Sequence, residues 1–135
     1  MLETKIGSLE LDNPVLSASG TFGSGWEGHT FSDLGRVGAL VSKTVTLQPR
    51  PGNPPPRIHE TPAGMLNAIG LENRGLDAFV RDSLPKMQEL AASGRRGGRR
   101  GPRVVVNIGG SAAELTELAR RLCREGVDAL EVNLS

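Results

Sequence analysis

Lys43, Thr44, Asn107 and Asn133 are the residues of this 135-residue chain best placed to do chemistry, because each stands at the end of a Val-, Leu- and Ala-rich run, in ALVSKT, RVVVN and DALEVN. Ser19 closes another such run, PVLSAS. Together they offer one fixed cation and several paired donors and acceptors. Polar residues also gather at strand ends for the plain reason that loops begin there, but a lysine and two asparagines in otherwise apolar runs favour a site. A separate stretch, ETPAGMLNAIGLEN from Glu60 to Asn73, supplies Gly64 and Gly70 for backbone freedom and Asn67 and Asn73 as amides. An Asn side chain sets a C=O acceptor beside an NH2 donor, which matches the alternating edge of a small polar ring such as a pyrimidine or its dihydro form.

The elements that must position these groups follow from pattern. KIGSLELDN reads as a short N-terminal hairpin turning at Gly7 and Ser8. Pro14–Ser19 is a first strand, FSDLGRVG a short helical turn, and Ala39–Thr44 a second strand, neither alternating apolar with polar, as expected of parallel strands covered on both faces. GLDAFVRDSLPKMQELAA is a helix with Leu76, Phe79, Val80, Leu84, Met87 and Leu90 on one stripe, which Pro85 should kink or split. Arg103–Gly110 is a third strand. Ser111 and Glu114 make a capping box for the next helix, Gly126 gives its left-handed stop, and VDALEVNLS is a fourth strand. Strands alternating with helices imply a parallel sheet with right-handed crossovers, in a half βα-barrel or an open doubly wound sheet. The placing of polar residues at the C-terminal strand ends, where βα-barrels carry their active sites, separates the two in favour of the barrel.

Length and composition set limits. A complete eight-stranded βα-barrel needs about 250 residues, so 135 are one domain or a portion of one. A formal charge of +1 with 23% charged residues exerts no general pull on nucleic acid or membrane. The start lacks the blocks of a signal peptide and no apolar run approaches a membrane span, which reads as cytoplasmic. Cys123 is the single cysteine; with Leu115, Leu118 and Leu122 it recurs at helical spacing and reads as a small apolar residue on a buried helix face. His29 and His59 have no second ligand at metal spacing, so no metal is expected.

Other motifs compete for function. Gly23, Gly25 and Gly28 spell GxGxxG, but a dinucleotide turn needs an acidic residue about twenty positions on, where this chain has Lys43. GRRGGRRGPR at Gly94–Arg103 could clamp a polyanion through phosphate contacts. No aromatic residue interleaves with it, and its place before the third strand puts it at the opposite end of the sheet from the polar strand ends, so it reads better as a solvated connector. The Pro-rich stretch Leu47–Pro62 is a polyproline ligand or an ordered excursion carrying Asn67–Leu71 over the barrel mouth; long loops in compact domains are commonly functional.

Taken together, ASGTFG at Ala18–Gly23, SKT at Ser42–Thr44, TLQPRPGNPPPR before GMLNAIGL, and the closing EVNLS resemble the class 1 dihydroorotate dehydrogenases, particularly the NAD-linked 1B branch, over nearly the whole chain. The resemblance implies the N-terminal half of a TIM-type (β/α)8 barrel, residues 1–135 being a portion of one FMN-binding domain. It implies oxidation of dihydroorotate to orotate in pyrimidine synthesis, with electrons passing to NAD through a partner subunit carrying FAD and an iron–sulfur cluster in a heterotetramer. Ser19, Lys43, Thr44, Asn107 and Asn133 match flavin contacts; Lys43, Asn67, Ala68, Ile69, Gly70, Leu71 and Asn133 match substrate contacts. The family's catalytic cysteine corresponds to the position just after Ser135, so no catalytic base is expected within this chain and the isolated chain is expected to be inactive. The alternatives are a related FMN barrel, such as the pyrimidine-reducing domain of dihydropyrimidine dehydrogenase, and a polyanion-binding or scaffold module using Gly94–Arg103.

Overall fold

Hydrophobic burial on both faces of a short parallel sheet organises the chain. The computed structural model describes residues 2–24, 26–30, 33–95 and 100–135. Strands β1 (Thr4–Ile6) and β2 (Leu9–Leu11) form the expected antiparallel hairpin, with Gly7 at φ +60° in its turn. β3 (Ala39–Val41), after a 3-10 turn at Leu34–Arg36, is the first strand of the main sheet. An antiparallel hairpin of β4 (Ile58–Thr61) and β5 (Gly64–Asn67) follows. Then come α1 (Gly75–Ala78), a π-helical turn (Phe79–Ser83), α2 (Leu84–Ser93), β6 (Arg103–Ile108), α3 (Ala112–Leu122) and β7 (Ala129–Val132). The main sheet has the order β3-β6-β7 with both pairings parallel, the arrangement of a partial βα-barrel.

Successive strand residues face opposite ways, and the two faces are buried by different partners. Leu40, Val104, Val106 and Ile108 pack toward the helices with Leu76, Phe79, Leu84, Met87, Leu118 and Leu122. Ala39, Val41 and Val105 lie on the inner face, closed from below by Leu11 of the hairpin. The N-terminal arm therefore plugs one end of the barrel interior. The helix stripe is buried as predicted, and Pro85 falls in the first turn of α2, where its missing N–H is tolerated; the π-turn before it, with Leu84 N–H donating to Phe79 O, is the split that proline requires. The Ser111–Glu114 capping box is present, and Gly126 at φ +74° ends the 3-10 turn that follows α3.

Four expectations change. The first strand, Pro14–Ser19, reduces to a single parallel bridge, Leu16 to Ala39. Ser17 N–H donates to Ala39 O, but the next rung is filled by its side chain, since Val41 N–H donates to Ser17 Oγ at 2.8 Å. The second strand stops at Val41 rather than Thr44, because a bulge interrupts it. The segment from Ile58 to Asn67, read as loop, is a β-hairpin whose residues are all exposed, so no buried face imposes an apolar alternation. Cys123 is exposed instead of buried, because it stands one helical step, about 100°, past the buried Leu122.

Candidate functional site

The inner face of the sheet changes from apolar to polar toward its C-terminal end. Val105 and Asn107 of β6, with Gly109 just past its end, and Ala129 and Glu131 of β7, with Asn133 just past its end, share that face by strand alternation, Val105 standing opposite Ala129 and Asn107 opposite Glu131. On β3 the pattern is re-aimed. Val41 pairs with Val105 and Val45 with Ile108, so β3 has one more residue between these rungs than β6. The extra residue makes a β-bulge, which turns side chains away from simple alternation. Ser42 holds it: its N–H donates to Val105 O, its Oγ accepts from Asn107 N–H at 3.1 Å, and Val45 N–H donates to Asn107 O. Val45 thereby joins the helix-side core, while Thr44 reaches the inner face.

At the strand ends Thr44, Asn133 and Leu71 converge on Gly109. A Cβ on Gly109 would lie 2.9 Å from Thr44 Cγ2, 3.8 Å from Asn133 Cβ and 3.9 Å from Leu71 Cδ1. Asn133 Nδ2 donates to Thr44 Oγ1 at 3.4 Å, and Asn133 Oδ1 accepts from Ser135 N–H and Oγ. Asn107 is almost fully buried; its Nδ2 donates to Glu131 Oε1 at 2.5 Å, and its Oδ1 is buried with no hydrogen-bond partner among the described residues. Lys43 is half-buried, its N–H donating to Gly23 O at 2.9 Å, and it lines a cavity of about 710 Å³ with Ser24, Thr44, Arg50, Asn73 and Phe79.

Leu71 comes to the strand ends through a scaffold built from the Pro-rich segment. Arg50 and Asn73 exchange backbone hydrogen bonds, Asn53 N–H donates to Ile69 O, Asn53 Nδ2 donates to Ala68 O, and Ala68 N–H donates to Arg57 O. Arg57 also pairs with Glu72. Asn73, read as a ligand-facing amide, is instead the hub of this scaffold. Its Oδ1 accepts from Thr46 N–H, Thr46 Oγ1 and Gly75 N–H, and its Nδ2 donates to Leu71 O. Gly70 takes φ +75° and Leu71 φ +56°, the latter a left-handed conformation costly for a branched residue.

Of the residues expected at the site, Thr44, Asn133 and Leu71 meet at Gly109 and Asn107 stands one inner-face position before it, whereas Lys43 lines the cavity it shares with Ala78, Phe79 and Ser83 of the helical segment. Gly70 and Ile69 are half-buried beside Leu71, whereas the backbone of Ala68 is spent on Arg57 and Asn53. Asn67 is exposed at the end of β5, its side chain making no hydrogen bond among the described residues. Ser19 is exposed in the turn beyond the Leu16 bridge and shares no hydrogen bond with the Thr44–Asn133 group. Sequence reasoning missed Ser42, Gly109 and Glu131; for Glu131, alternation with Ala129 and Asn133 was the available signal.

The competing motifs fare differently. Around Gly23 and Gly28 the chain forms a 3-10 turn, Glu27–Thr30, and Glu27 Oε2 already accepts from Ser24 N–H and Trp26 N–H, so a carboxylate occupies the amides a dinucleotide phosphate would need; Gly25 lies outside the described residues. In the arginine segment, Arg100 pairs with Glu10 and Arg103 with Asp128, and Lys5 followed by Arg100 holds the Glu10 carboxyl below the usual range. These contacts place its described residues beside the N-terminal hairpin, away from the polar strand ends; residues 96–99 lie outside the described set. No group of three or more His, Cys, Asp or Glu suited to a metal, and no helix long and apolar enough to cross a membrane, occurs among the described residues.

The dihydroorotate dehydrogenase family profile matches residues 1–135. The chain is 44% identical over 135 residues to the dihydroorotate dehydrogenase B (NAD(+)) catalytic subunit of Thermoanaerobacter sp. strain X514, covering 99% of this chain and 41% of that protein. It is 52% identical over 132 residues to the subunit of the same description from Desulforudis audaxviator, covering 96% of this chain and 40% of that one. A solved dihydroorotate dehydrogenase of Eimeria tenella, in complex with ferulenol, superposes with a TM-score of 0.71 at 25% identity, covering 99% of this chain and 36% of that one. The chain spans about two fifths of the length of these curated relatives.

Proposed function

Because the chain belongs to the dihydroorotate dehydrogenase family, we propose that it forms the N-terminal part of an FMN-dependent barrel that oxidises dihydroorotate to orotate. The observation that carries this reading is the buried, unpartnered Oδ1 of Asn107, on the inner face of a parallel sheet whose C-terminal end also carries the bonded pair Thr44 and Asn133. A buried acceptor left without a donor costs on the order of 1–3 kcal/mol, and a ring N–H supplies the missing partner. The residues present thus fit a planar heterocycle with an alternating polar edge.

FMN, when bound, supplies a two-electron acceptor. Asn107 would hold the ring through Oδ1. Thr44 and Asn133 would add the donors and acceptors left after their mutual bond, and the half-buried Lys43 ammonium would favour negative charge developing on the bound rings. Leu71 would exclude water from above, while the Asn67 amide would reach the substrate from the hairpin end. On this reading the relatives' description as NAD-linked catalytic subunits extends to this chain, with a partner subunit carrying FAD and an iron–sulfur cluster as the electron outlet.

The test is anaerobic addition of dihydroorotate to the FMN-loaded protein comprising this segment. Bleaching of the flavin bands with formation of orotate is the expected result. A flavin that binds yet stays oxidised with dihydroorotate while exchanging electrons with dihydrouracil would replace this reading by the dihydropyrimidine dehydrogenase type.

A further inference from the structure

We propose that Glu131 is a positioning residue: its carboxylate fixes the Asn107 amide so that Asn107 presents Oδ1, an acceptor, to the bound ring, selecting an edge that offers N–H. The inference rests on the ring-binding reading of the site and adds a residue and a polarity to it. Asn107 and Glu131 are register partners on β6 and β7, so their side chains stand together on the inner face. Nδ2 of Asn107 lies 2.5 Å from Glu131 Oε1. A carboxylate only accepts, so the NH2 half of the amide must face it; the opposite orientation would set two acceptors against each other.

The other polar groups of Asn107 are already committed. Its N–H donates to Ser42 Oγ and its C=O accepts from Val45 N–H. Of its side-chain atoms, Oδ1 is the one left buried without a partner among the described residues. Glu131 makes no ion pair among the described residues, so the amide is its one strong interaction there. An acceptor held this way rewards a ring N–H and rejects a carbonyl or an alkylated nitrogen. The isoalloxazine of a flavin and the pyrimidine substrate both carry such an imide edge.

The experiment titrates the apoprotein with FMN, with N3-methyl-FMN and with orotate, following flavin fluorescence and ligand displacement, in wild type, Glu131→Gln and Glu131→Asp. Gln can donate as well as accept, so the amide is free to turn; Asp keeps acceptor-only character and serves as the conservative rescue. If the flavin is the donor, wild type prefers FMN to its N3-methyl form by about tenfold, as expected of one hydrogen bond. That preference collapses in Glu131→Gln and survives in Glu131→Asp. A flavin preference untouched by Glu131→Gln together with an orotate affinity that falls about tenfold assigns the same role toward the pyrimidine. Equal weakening of all ligands with unchanged ratios would mean a structural role and overturn the inference. Side-chain amide NMR of Asn107 gives an answer independent of any ligand: its 15N–1H pair should shift in Glu131→Gln and not in Glu131→Asp, and an unmoved pair refutes the proposal. Wild type that binds no flavin, with the expected NMR shift, would instead count against the FMN assignment.

Discussion

Gly109→Ala tests whether the strand-end cluster is packed as described. The new Cβ would stand 2.9 Å from Thr44 Cγ2, closer than carbon atoms approach without displacement, and Thr44 is buried and stiff at χ1. Thr44 can yield by rotating, which swings Oγ1 away from Asn133 Nδ2, or by shifting the bulge that Ser42 holds. Overpacking of this kind costs about 1–3 kcal/mol. Gly109 does not occupy the positive-φ region, so alanine also restricts the unfolded chain and returns about 0.4–1 kcal/mol. The net expectation is a loss of about 1 kcal/mol. Thr44→Ser removes the methyl that collides and keeps the hydroxyl. In that background Gly109→Ala should be neutral or stabilising, giving a coupling of about 1–3 kcal/mol in the double-mutant cycle. Urea unfolding followed through Trp26, the single tryptophan, measures all four proteins. Additivity within about 0.5 kcal/mol would show that Thr44 and Gly109 do not touch, and the site geometry built on that contact would fall with it.

Lys43→Ala should slow flavin reduction by dihydroorotate far more than it weakens FMN retention, because its charge matters most as negative charge develops; unchanged stopped-flow reduction at saturating substrate removes Lys43 from the mechanism. Asn133→Ala should weaken orotate binding by about 1–3 kcal/mol, read from the flavin absorbance shift, and wild-type affinity would exclude it from the substrate edge. Asn73→Ala should destabilise the fold by about 2 kcal/mol in urea, since Thr46 N–H and Gly75 N–H lose their acceptor together. Glu114 is held below the ordinary carboxylate value by the Ser111 N–H and then the Ser111 hydroxyl, so its stabilising effect is present above pH 4.5 and lost as pH falls through the lowered value. Ser111→Ala should cost about 1 kcal/mol at neutral pH and lessen that acid-side slope without abolishing it, since the backbone N–H remains, as pH-dependent thermal unfolding will show.

Features fixed by local sequence were legible and those fixed by register were not. The Ser111–Glu114 box and the Pro85 break depend on residues a few positions apart, and both stand as the pattern implied. The bulge at Ser42–Thr44 depends on counting rungs across two strands more than sixty residues apart, as in the 65-residue separation of Ser42 and Asn107. Without that count, ALVSKT reads as one strand, and Ser42 as filler. The first strand failed for a related reason: a serine whose hydroxyl substitutes for a backbone rung looks, in sequence, like any other strand serine.

Asparagine shows most clearly where type alone stops informing. Asn67, Asn73, Asn107 and Asn133 carry the same amide, yet Asn73 has satisfied its oxygen and nitrogen within the scaffold while Asn107 keeps one acceptor in reserve. The difference comes from neighbours contributed by distant elements: Thr46 and Gly75 exhaust the first, and Glu131 takes only one side of the second. Leu71 belongs to the same argument. Its left-handed backbone would favour glycine on local grounds, but Nδ2 of Asn73 holds its carbonyl and its side chain reaches the position above Gly109. Strain kept at a residue that covers a polar cluster, its carbonyl held by one side of the Asn73 amide, is the local signature of a functional site rather than of loop stability.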